Sequence, residues 1–481
     1  MSSAFCEDSL GLRRRGHLSG PAEQSPELRR SAVDIRTGGR IVSATTNLTG
    51  RPEPNRWTIR LRNFDTHIHP SIPLFPKGKL FQQYEYGAIS RNLLLTIFVV
   101  TAKILGPPSF WSDGSVEDCV RYLLQTNVID KDSPSTRLSL NDFRQACLLA
   151  FYAFHQYPGE RAWMRIGHLT RRAYQCGLHQ IDNRDRSLAF DHNPMSDEQA
   201  EEWRYIWWCI YCLDSYSNIT AATPFVVEIE SVKTALVTTS FADLVDNRPD
   251  LTSPKFLPAE TSLLWMTTRD ITSNGGDFNF NVHIVTTTVL REAATIYRLR
   301  SQNPSERLQA RQAALEDHLS AVRLALPARY LSGARNALID ESSSEHHARL
   351  ICVLHLHAAR VLICLPLDPQ RNETEWLERW QQNLEYCQDI VAIVRQWDGQ
   401  FCSTVDPAVC FIILGTLLLL HLHGIYGSNS QPELQARLAT YKDMLLLFLH
   451  QFASTWNLVR FLISKNSPRL GIVRICLTLI T

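Results

Sequence analysis

The segment from Ser196 to Tyr216, SDEQAEEWRYIWWCIYCLDSY, constrains the fold more than any other stretch of the chain. Ser196 and Gln199 have the spacing of a capping box, and the acidic residues at 197, 198, 201 and 202 favour the positive end of a helix. The apolar face consists of Trp203, Ile206, Trp207, Ile210 and Leu213, and its arc is extended by Trp208, Tyr211 and Cys212. A helix this apolar must pack on more than one side, so we predict that it lies inside a multi-helix body.

Helical periodicity recurs along most of the chain. Ser139 is a predicted N-cap with Asp142 three residues on, and that helix stops at Pro158-Gly159. A second helix follows and ends near Gly177, which suits the left-handed residue that closes a helix, so the two form an antiparallel hairpin. Further helices are predicted near 278–300, 305–326, 345–365, 373–397, 405–424 and 432–465. Strands do not alternate with these helices, so we predict an all-α fold from about residue 80 onward.

The chain divides into four predicted parts. Residues 1–60 carry ten arginines and six acidic residues without an apolar period, which indicates a flexible tail with an excess charge of +4. Residues 61–240 form a first helical block. Residues 241–275 are rich in Pro, Ser, Thr, Asp and Gly and are predicted to be a linker. Residues 276–481 are predicted to be the C-terminal helical part of the same body.

Charge and hydropathy exclude several classes of protein. The formal net charge is +1, so the chain as a whole lacks the basic excess that is typical of a protein gripping nucleic acid by its phosphates. The longest apolar runs, at 92–100 and 409–420, are too short to cross a bilayer, which indicates buried core helices and no membrane partner. The twelve cysteines lie far apart and no secretory signal precedes them, so we expect reduced intracellular thiols.

The stretch FDTHIHPSIPLF contains the one motif that suggests metal-dependent hydrolysis. Asp65, His67 and His69 have the spacing of the first metal ligands of an amidohydrolase. Such ligands act only at the end of a barrel strand, with further ligands arriving from later strands. Because the sequence shows no alternation of strands and helices that would indicate a barrel, we expect no metal site at these residues.

Other candidate chemistry is equally weak. Cys209 and Cys212 form a single CxxC inside a helix, without the second pair of ligands that a structural zinc needs, and are expected to be small buried residues. Helical spacing also prevents the close histidine pairs from facing one ion; these pairs are His346 with His347, His355 with His357, and His421 with His423. No phosphate-binding glycine loop, GxSxG or HExxH is present. We therefore predict no catalytic, cofactor-binding or metal-binding residues.

Three stretches of the chain resemble the middle homology region of fungal zinc-cluster transcription factors. They are FDTHIHPSIPLF, RAWMRIGHLTRRAYQCGLHQID and EEWRYIWWCIYCLDSYSN…TPF, and ICVLHLHAARVLICLP adds a weaker match. The resemblance covers about 400 residues and implies a helical regulatory domain in a nuclear protein. It also implies that His69 is a packed histidine rather than a metal ligand.

The resemblance does not extend to the DNA-reading module of that family. The module needs six cysteines within roughly 30 residues to hold two zinc ions, whereas Cys6 is the only cysteine before Cys119. Specific DNA binding by this chain is therefore doubtful. Two alternatives stay open: the chain is a regulator without a DNA-binding half, or the sequence starts downstream of the true beginning.

The resemblance singles out five residues of one helix, and we interpret all of them as packing positions: Trp203, Arg204, Trp207, Trp208 and Asp214. Asp214 is expected to pair with a basic residue inside the bundle. The family's middle region is thought to sense effectors or restrain activity, so a small-molecule effector and other transcription proteins, or a second copy of the chain, are the expected partners.

The function that these observations favour is transcription regulation, with pathway-specific control of a secondary-metabolite gene cluster as the expected process. The wording YCLDSYSN…TPF is similar to that of many such regulators. One alternative is a co-regulator that acts through another DNA-bound protein. A second is a helical small-molecule-binding protein or enzyme with an unrecognised site.

Overall fold

The computed structural model describes most of the chain from Pro54 to Ser464. The described residues are 54–107, 113–127, 129, 138–183, 195–238, 253–273, 279–303, 305–332, 334–335, 341–366, 373–426 and 432–464. All regular elements among them are helices, and none is a strand, which confirms the predicted all-α class. The described residues belong to one compact unit.

The first helices begin earlier than the sequence patterns predict. They are α1 (Pro54–His67), α2 (Lys79–Glu85), α3 (Arg91–Leu105) and α4 (Asp113–Thr126). Residues 54–60 therefore belong to a helix rather than to the predicted tail, and the rest of that tail lies outside the described residues. Trp57, Leu61 and Phe64 lie at helical spacing on one face of α1. Leu61 and Phe64 are fully buried and Trp57 is partly buried against the same core, so this period straddles the predicted boundary at residue 60.

The predicted hairpin and the apolar helix follow as α5 (Leu140–Gln156), α6 (Glu160–Gln175) and α7 (Asp197–Ala221). Ser139 and Ser196 both close capping boxes, with Asp142 and Gln199 respectively. Gly177 adopts the left-handed conformation after α6, with φ of 78°. Helix α7 packs against α5, α6 and α9, so it is surrounded on several sides as its composition predicts.

The C-terminal half supplies the remaining helices. They are α8 (Leu264–Thr272), α9 (Asn279–Gln302), α10 (Glu306–Ala325), α11 (Ala328–Leu331), α12 (Ser343–Cys364), α13 (Glu373–Val394), α14 (Val409–Tyr426), α15 (Pro432–Ala453) and α16 (Asn457–Ile463). Helix α8 lies within the predicted linker 241–275 and packs against α10, so part of that segment belongs to the helical body. Helix α12 packs against α9 and α13, and α14 against α15.

The helix predicted over 432–465 is interrupted, and the tertiary structure explains the break. Trp456 lies between α15 and α16 in an extended conformation, is fully buried, and donates from Nε1 to the Cys402 carbonyl at 2.9 Å. Beside it, the Gln156 amide donates to the Thr455 carbonyl and accepts from the Asn457 backbone, at 3.1 and 3.3 Å. These contacts fix α16 against α5.

Among the helices that the structure describes, α12 and α14 are long and apolar enough, by length and composition, to cross a membrane. In the folded chain 83% of the apolar window of α12 is buried, as in the core helix of a globular body. The corresponding share for α14 is 56%, so this helix is less completely covered than the prediction of a buried core helix implies. The first apolar run lies in α3, where six of its nine residues are buried, Leu94 and Leu95 are half-buried and Asn92 is exposed.

Candidate functional site

The histidine motif at the start of the body is a packing element. His69 Nε2 accepts a hydrogen bond from the Phe75 backbone N at 3.1 Å, and the imidazole contacts the rings of Phe64 and Phe75. Burial, followed by the charge of Arg144, lowers the pKa of His69 to about 4. His67 is half-buried at the end of α1. Among the residues that the structure describes, no group of three or more His, Cys, Asp or Glu is arranged to hold a metal ion.

The CxxC cysteines are buried on one face of α7. Cys209 donates from Sγ to the Pro73 carbonyl at 3.3 Å, and burial raises the pKa of both Cys209 and Cys212 well above the usual range of a thiol. Buried protonated thiols are poor nucleophiles and poor metal ligands. The two cysteines therefore fit the predicted role of small buried residues.

The closely spaced histidines of α12 face different neighbours, as their helical spacing predicts. His355 Nε2 lies 3.0 Å from the Tyr216 hydroxyl, which is also 3.0 Å from His283 Nε2. His357 Nδ1 lies 3.4 Å from the carboxylate of Asp389 on α13. Burial lowers the pKa of all three imidazoles, so each is held neutral in the core.

The three stretches singled out in the sequence pack together around α7. Trp207 is fully buried and contacts the rings of Tyr174 and His179. Arg204 pairs with Asp182 and, at 2.9 Å, with Glu201. Cys209 reaches the first stretch through Pro73. The packing positions proposed for Trp207, Trp208 and Arg204 are therefore buried in the body, and Trp203 is partly buried against Phe143.

Asp214 is the electrostatic centre of α7. Its side chain accepts from the Asn218 amide at 2.8 Å and from the backbone N of Val226 and Val227 at 3.2 and 3.1 Å. It also pairs with Arg291 Nη1 of α9 at 3.2 Å, which is the buried basic partner expected from the sequence. A buried carboxylate with this many donors is satisfied, so it acts as a joint between α7, the chain after α7, and α9.

A cavity of about 700 Å³ lies beside this joint. Seven helices contribute to its wall: α5, α6, α7, α9, α12, α13 and α14. Most of the lining side chains are apolar, including Phe154, Leu290, Val361, Ile390 and Phe411. The volume and the apolar lining match the usual dimensions and character of a small-molecule site.

The wall also carries polar side chains, and most of them are hydrogen-bonded to other protein atoms. Trp163 Nε1 and the Thr223 hydroxyl both donate to the Asn218 side-chain oxygen, at 3.0 and 2.7 Å. Among the described lining residues, the charged side chains are Glu160 and Arg298. The described wall therefore presents mainly apolar surface to a bound molecule.

Arg298 differs from the other polar groups of the wall. No ion pair joins its guanidinium to a carboxylate among the described residues, and its Nη1 atom is covered by protein without a hydrogen-bond partner there. Burial lowers its pKa. Arg291, seven residues earlier on the same face of α9, is fully engaged by Asp214, Ser215 and Val227.

Two further positions shape the cavity. Gly415 of α14 lines it, and a Cβ built there meets nothing within 4 Å. Ala222 also lines it and has a positive φ of 52°, the single such non-glycine residue among those described. Local sequence patterns do not single out Arg298, Gly415 or Ala222. The one signal that points here is the pair Gly415 and Thr416, which interrupts the apolar run 409–420.

Comparison with protein-family models gives a match between residues 61–318 and the fungal specific transcription factor domain. The matched range is just over half of the 481 residues. It includes the cavity wall from Phe154 to Gln302, whereas Ala358 to Leu419 lie beyond it. No curated protein and no solved structure gives a match.

Proposed function

Because this chain belongs to the family of the fungal specific transcription factor domain, whose members are transcription factors rather than enzymes, we propose that it is a pathway-specific regulator acting in the nucleus. The proposed process is control of a secondary-metabolite gene cluster. Its support is the wording YCLDSYSN…TPF, which is similar to that of such regulators.

The single observation that carries the regulatory mechanism is the cavity. It lies beside α7, and its wall joins the family domain to helices α12, α13 and α14. A molecule bound there contacts both parts and stabilises whichever arrangement of helices fits it best, which is how an effector shifts a conformational equilibrium. We therefore assign the helical body as an effector-responsive regulatory domain.

Transcript profiling tests the proposed process. Deleting the gene in its fungal host should change the transcripts of several neighbouring genes on one chromosome segment together. Re-expression of the wild-type chain should restore them, and re-expression of Trp207→Ala, in which the core is broken, should not. Unchanged transcripts under conditions in which the chain is present would refute control of a gene cluster.

The alternative to direct control is action through a DNA-bound partner, and a binding titration separates the two. Cys6 is the only cysteine before Cys119, so the six-cysteine module that delivers side chains to base edges is not part of these 481 residues. The 481-residue chain should therefore bind promoter and random DNA alike, weakly and with strong salt sensitivity. A preference of about a hundredfold for one site, surviving deletion of residues 1–60, would show that the helical body itself reads DNA.

A further inference from the structure

We propose that the cavity beside Asp214 binds an amphipathic monocarboxylate, whose apolar body lies against α14 and α12 and whose carboxylate pairs with Arg298. This inference deepens the effector role proposed above and rests on it for its regulatory meaning. Binding itself is decided by the cavity alone.

Helix α14 supplies the apolar surface of the proposed binding site. Its cavity-lining residues form one stripe along the helix: Phe411, Ile412, Gly415, Thr416 and Leu419. The helix has the highest mean hydropathy of the described long helices, yet only 56% of its apolar window is buried. Within the stripe, Phe411, Thr416 and Leu419 are already buried, whereas Ile412 is half-buried and Gly415 leaves open space. A ligand with an apolar body removes the remaining apolar surface, chiefly at Ile412, from water, at about 25 cal/mol per Å².

Helix α12 also lines the cavity with apolar side chains. It contributes Ala358, Val361 and Leu362, and the chain just beyond it adds Leu365. The hydroxyl of Thr416 is already donated to the Ile412 carbonyl at 2.9 Å, so this part of the wall offers little to a polar ligand. The body of the ligand must therefore be largely hydrocarbon or aromatic.

Arg298 supplies the cationic group that would pair with the ligand carboxylate. A partly desolvated guanidinium without an anionic partner is unfavourable. Arg298 lines the cavity, and its N–H groups other than the covered Nη1 can donate to a carboxylate. Arg291 on the same face shows the arrangement that the chain uses when it supplies the anion itself, through Asp214. At Arg298 the described residues supply none, Glu160 of the same wall included. Arg298 is the single positively charged side chain of the described wall, so a ligand that pairs with it needs one negative charge.

The proposed site lies between the family-matched part of the chain and the helices beyond it. Arg298 lies on α9 within the family-matched range, whereas the α14 stripe lies outside it. A ligand that pairs with Arg298 and covers Gly415 bridges the two parts. Asn218, which holds Trp163 in the wall, also donates to Asp214, so the site is connected to the buried joint of α7 and α9.

Competition binding with the full 481-residue chain tests the proposal. The fluorescent probe is 1-anilinonaphthalene-8-sulfonate, and the competitors are dodecanoate and dodecan-1-ol near neutral pH. The alcohol is the more readily desolvated of the two, so a plain apolar cavity favours it. We expect dodecanoate to displace the probe at a concentration at least about tenfold lower than dodecan-1-ol does. An alcohol that competes as well as the acid overturns the proposal.

Variants then locate the preference. Arg298→Leu should abolish the advantage of the carboxylate, and Arg298→Lys should keep part of it. Arg307→Leu removes the same charge from an exposed position outside the cavity wall and should change nothing. Equal effects of Arg298→Leu and Arg307→Leu would contradict the pairing.

Gly415→Phe, with Gly415→Leu as a smaller second variant, should fill the cavity and weaken both competitors. Circular dichroism shows whether each variant is folded, and a folded Gly415→Phe that binds both molecules normally would place the ligand elsewhere. If neither glycine variant folds, the acid-to-alcohol preference and the Arg298 comparison still decide the question. None of these assays contains DNA, so their failure is separate from a failure of the transcript experiment.

Discussion

Trp207 is one of the two fully buried tryptophans of α7. It is 0% exposed, contacts Tyr174 and His179, and its Nε1 has no hydrogen-bond partner among the described residues. The residue therefore stabilises the body through shape and apolar contact rather than through hydrogen bonding.

Trp207→Ala should lower the free energy of unfolding by about 3–5 kcal/mol, because it leaves a cavity that the surrounding helices can only partly fill. Urea unfolding measures the loss, and a marginally stable chain would show it as reduced soluble protein. The control is Leu324→Ala, at a side chain that is 85% exposed, which should change the value by less than about 0.5 kcal/mol. A soluble Trp207→Ala with an unchanged urea midpoint would mean that the indole serves a ligand instead of the core.

Ala222 stores backbone strain at the edge of the cavity. Its φ and ψ of 52° and 38° are left-handed, a conformation that glycine adopts without the clash that a Cβ creates. Ala222→Gly should therefore raise the free energy of unfolding by about 1 kcal/mol. Ala221→Gly, one residue earlier and still helical, should lower it by about 0.5–1 kcal/mol, so opposite signs in thermal unfolding are the diagnostic result. Equal signs would refute the strain.

At the scale of the element, α14 combines high mean hydropathy with incomplete burial. Gly415 lies in its interior, where a glycine weakens a helix without supplying any packing. Because a Cβ there meets nothing within 4 Å, Gly415→Ala should raise the free energy of unfolding by about 0.5–1 kcal/mol. Thermal unfolding measures the gain. As a control, Gly78→Ala should destabilise the chain, since its φ of 77° is left-handed and a Cβ is strained there. A loss of stability in Gly415→Ala would show that the space is needed for helix packing.

Helices were predictable where the residues at their own ends, such as capping residues, mark where they start. Capping boxes at Ser139 and Ser196 set helix starts that the local sequence predicts. The break between α15 and α16 was not predictable, because the periodicity continues through Trp456 and only its burial against α5 and the Cys402 carbonyl turns the chain. Helix α8 was hidden for a related reason, since nine residues inside a Pro- and Ser-rich segment gain stability from α10 rather than from propensity.

At the scale of the whole molecule, buried neutral histidines make stability depend on pH. Burial lowers the pKa of His283 and His423 to about 4 and that of His357 to about 3. Burial also lowers the pKa of His355 well below its usual value. In the unfolded chain a histidine titrates near 6.5. As pH falls below that value the unfolded state binds protons first, so the free energy of unfolding decreases.

Each such histidine should cost about 1.4 kcal/mol of stability between neutral pH and about pH 5.5. Urea unfolding at the two pH values measures the sum. His423→Phe should reduce the difference, because His423 stacks on Trp380 in a buried position that phenylalanine can occupy. The same change at exposed His421 should leave the difference intact. Equal stability at both pH values would show that these imidazoles are accessible to protons.

The sequence by itself determined the helical class, the capped helix starts, the packing role of the α7 tryptophans and the family resemblance that the comparison confirmed. Each follows from residues that are close along the chain, where spacing fixes which side chains share a face. The tertiary structure alone decided the partner of Asp214, the isolation of Arg298 and the space beside Gly415. These depend on seven helices converging from positions 154 to 419, and no local pattern encodes which surfaces meet or where a gap between them remains.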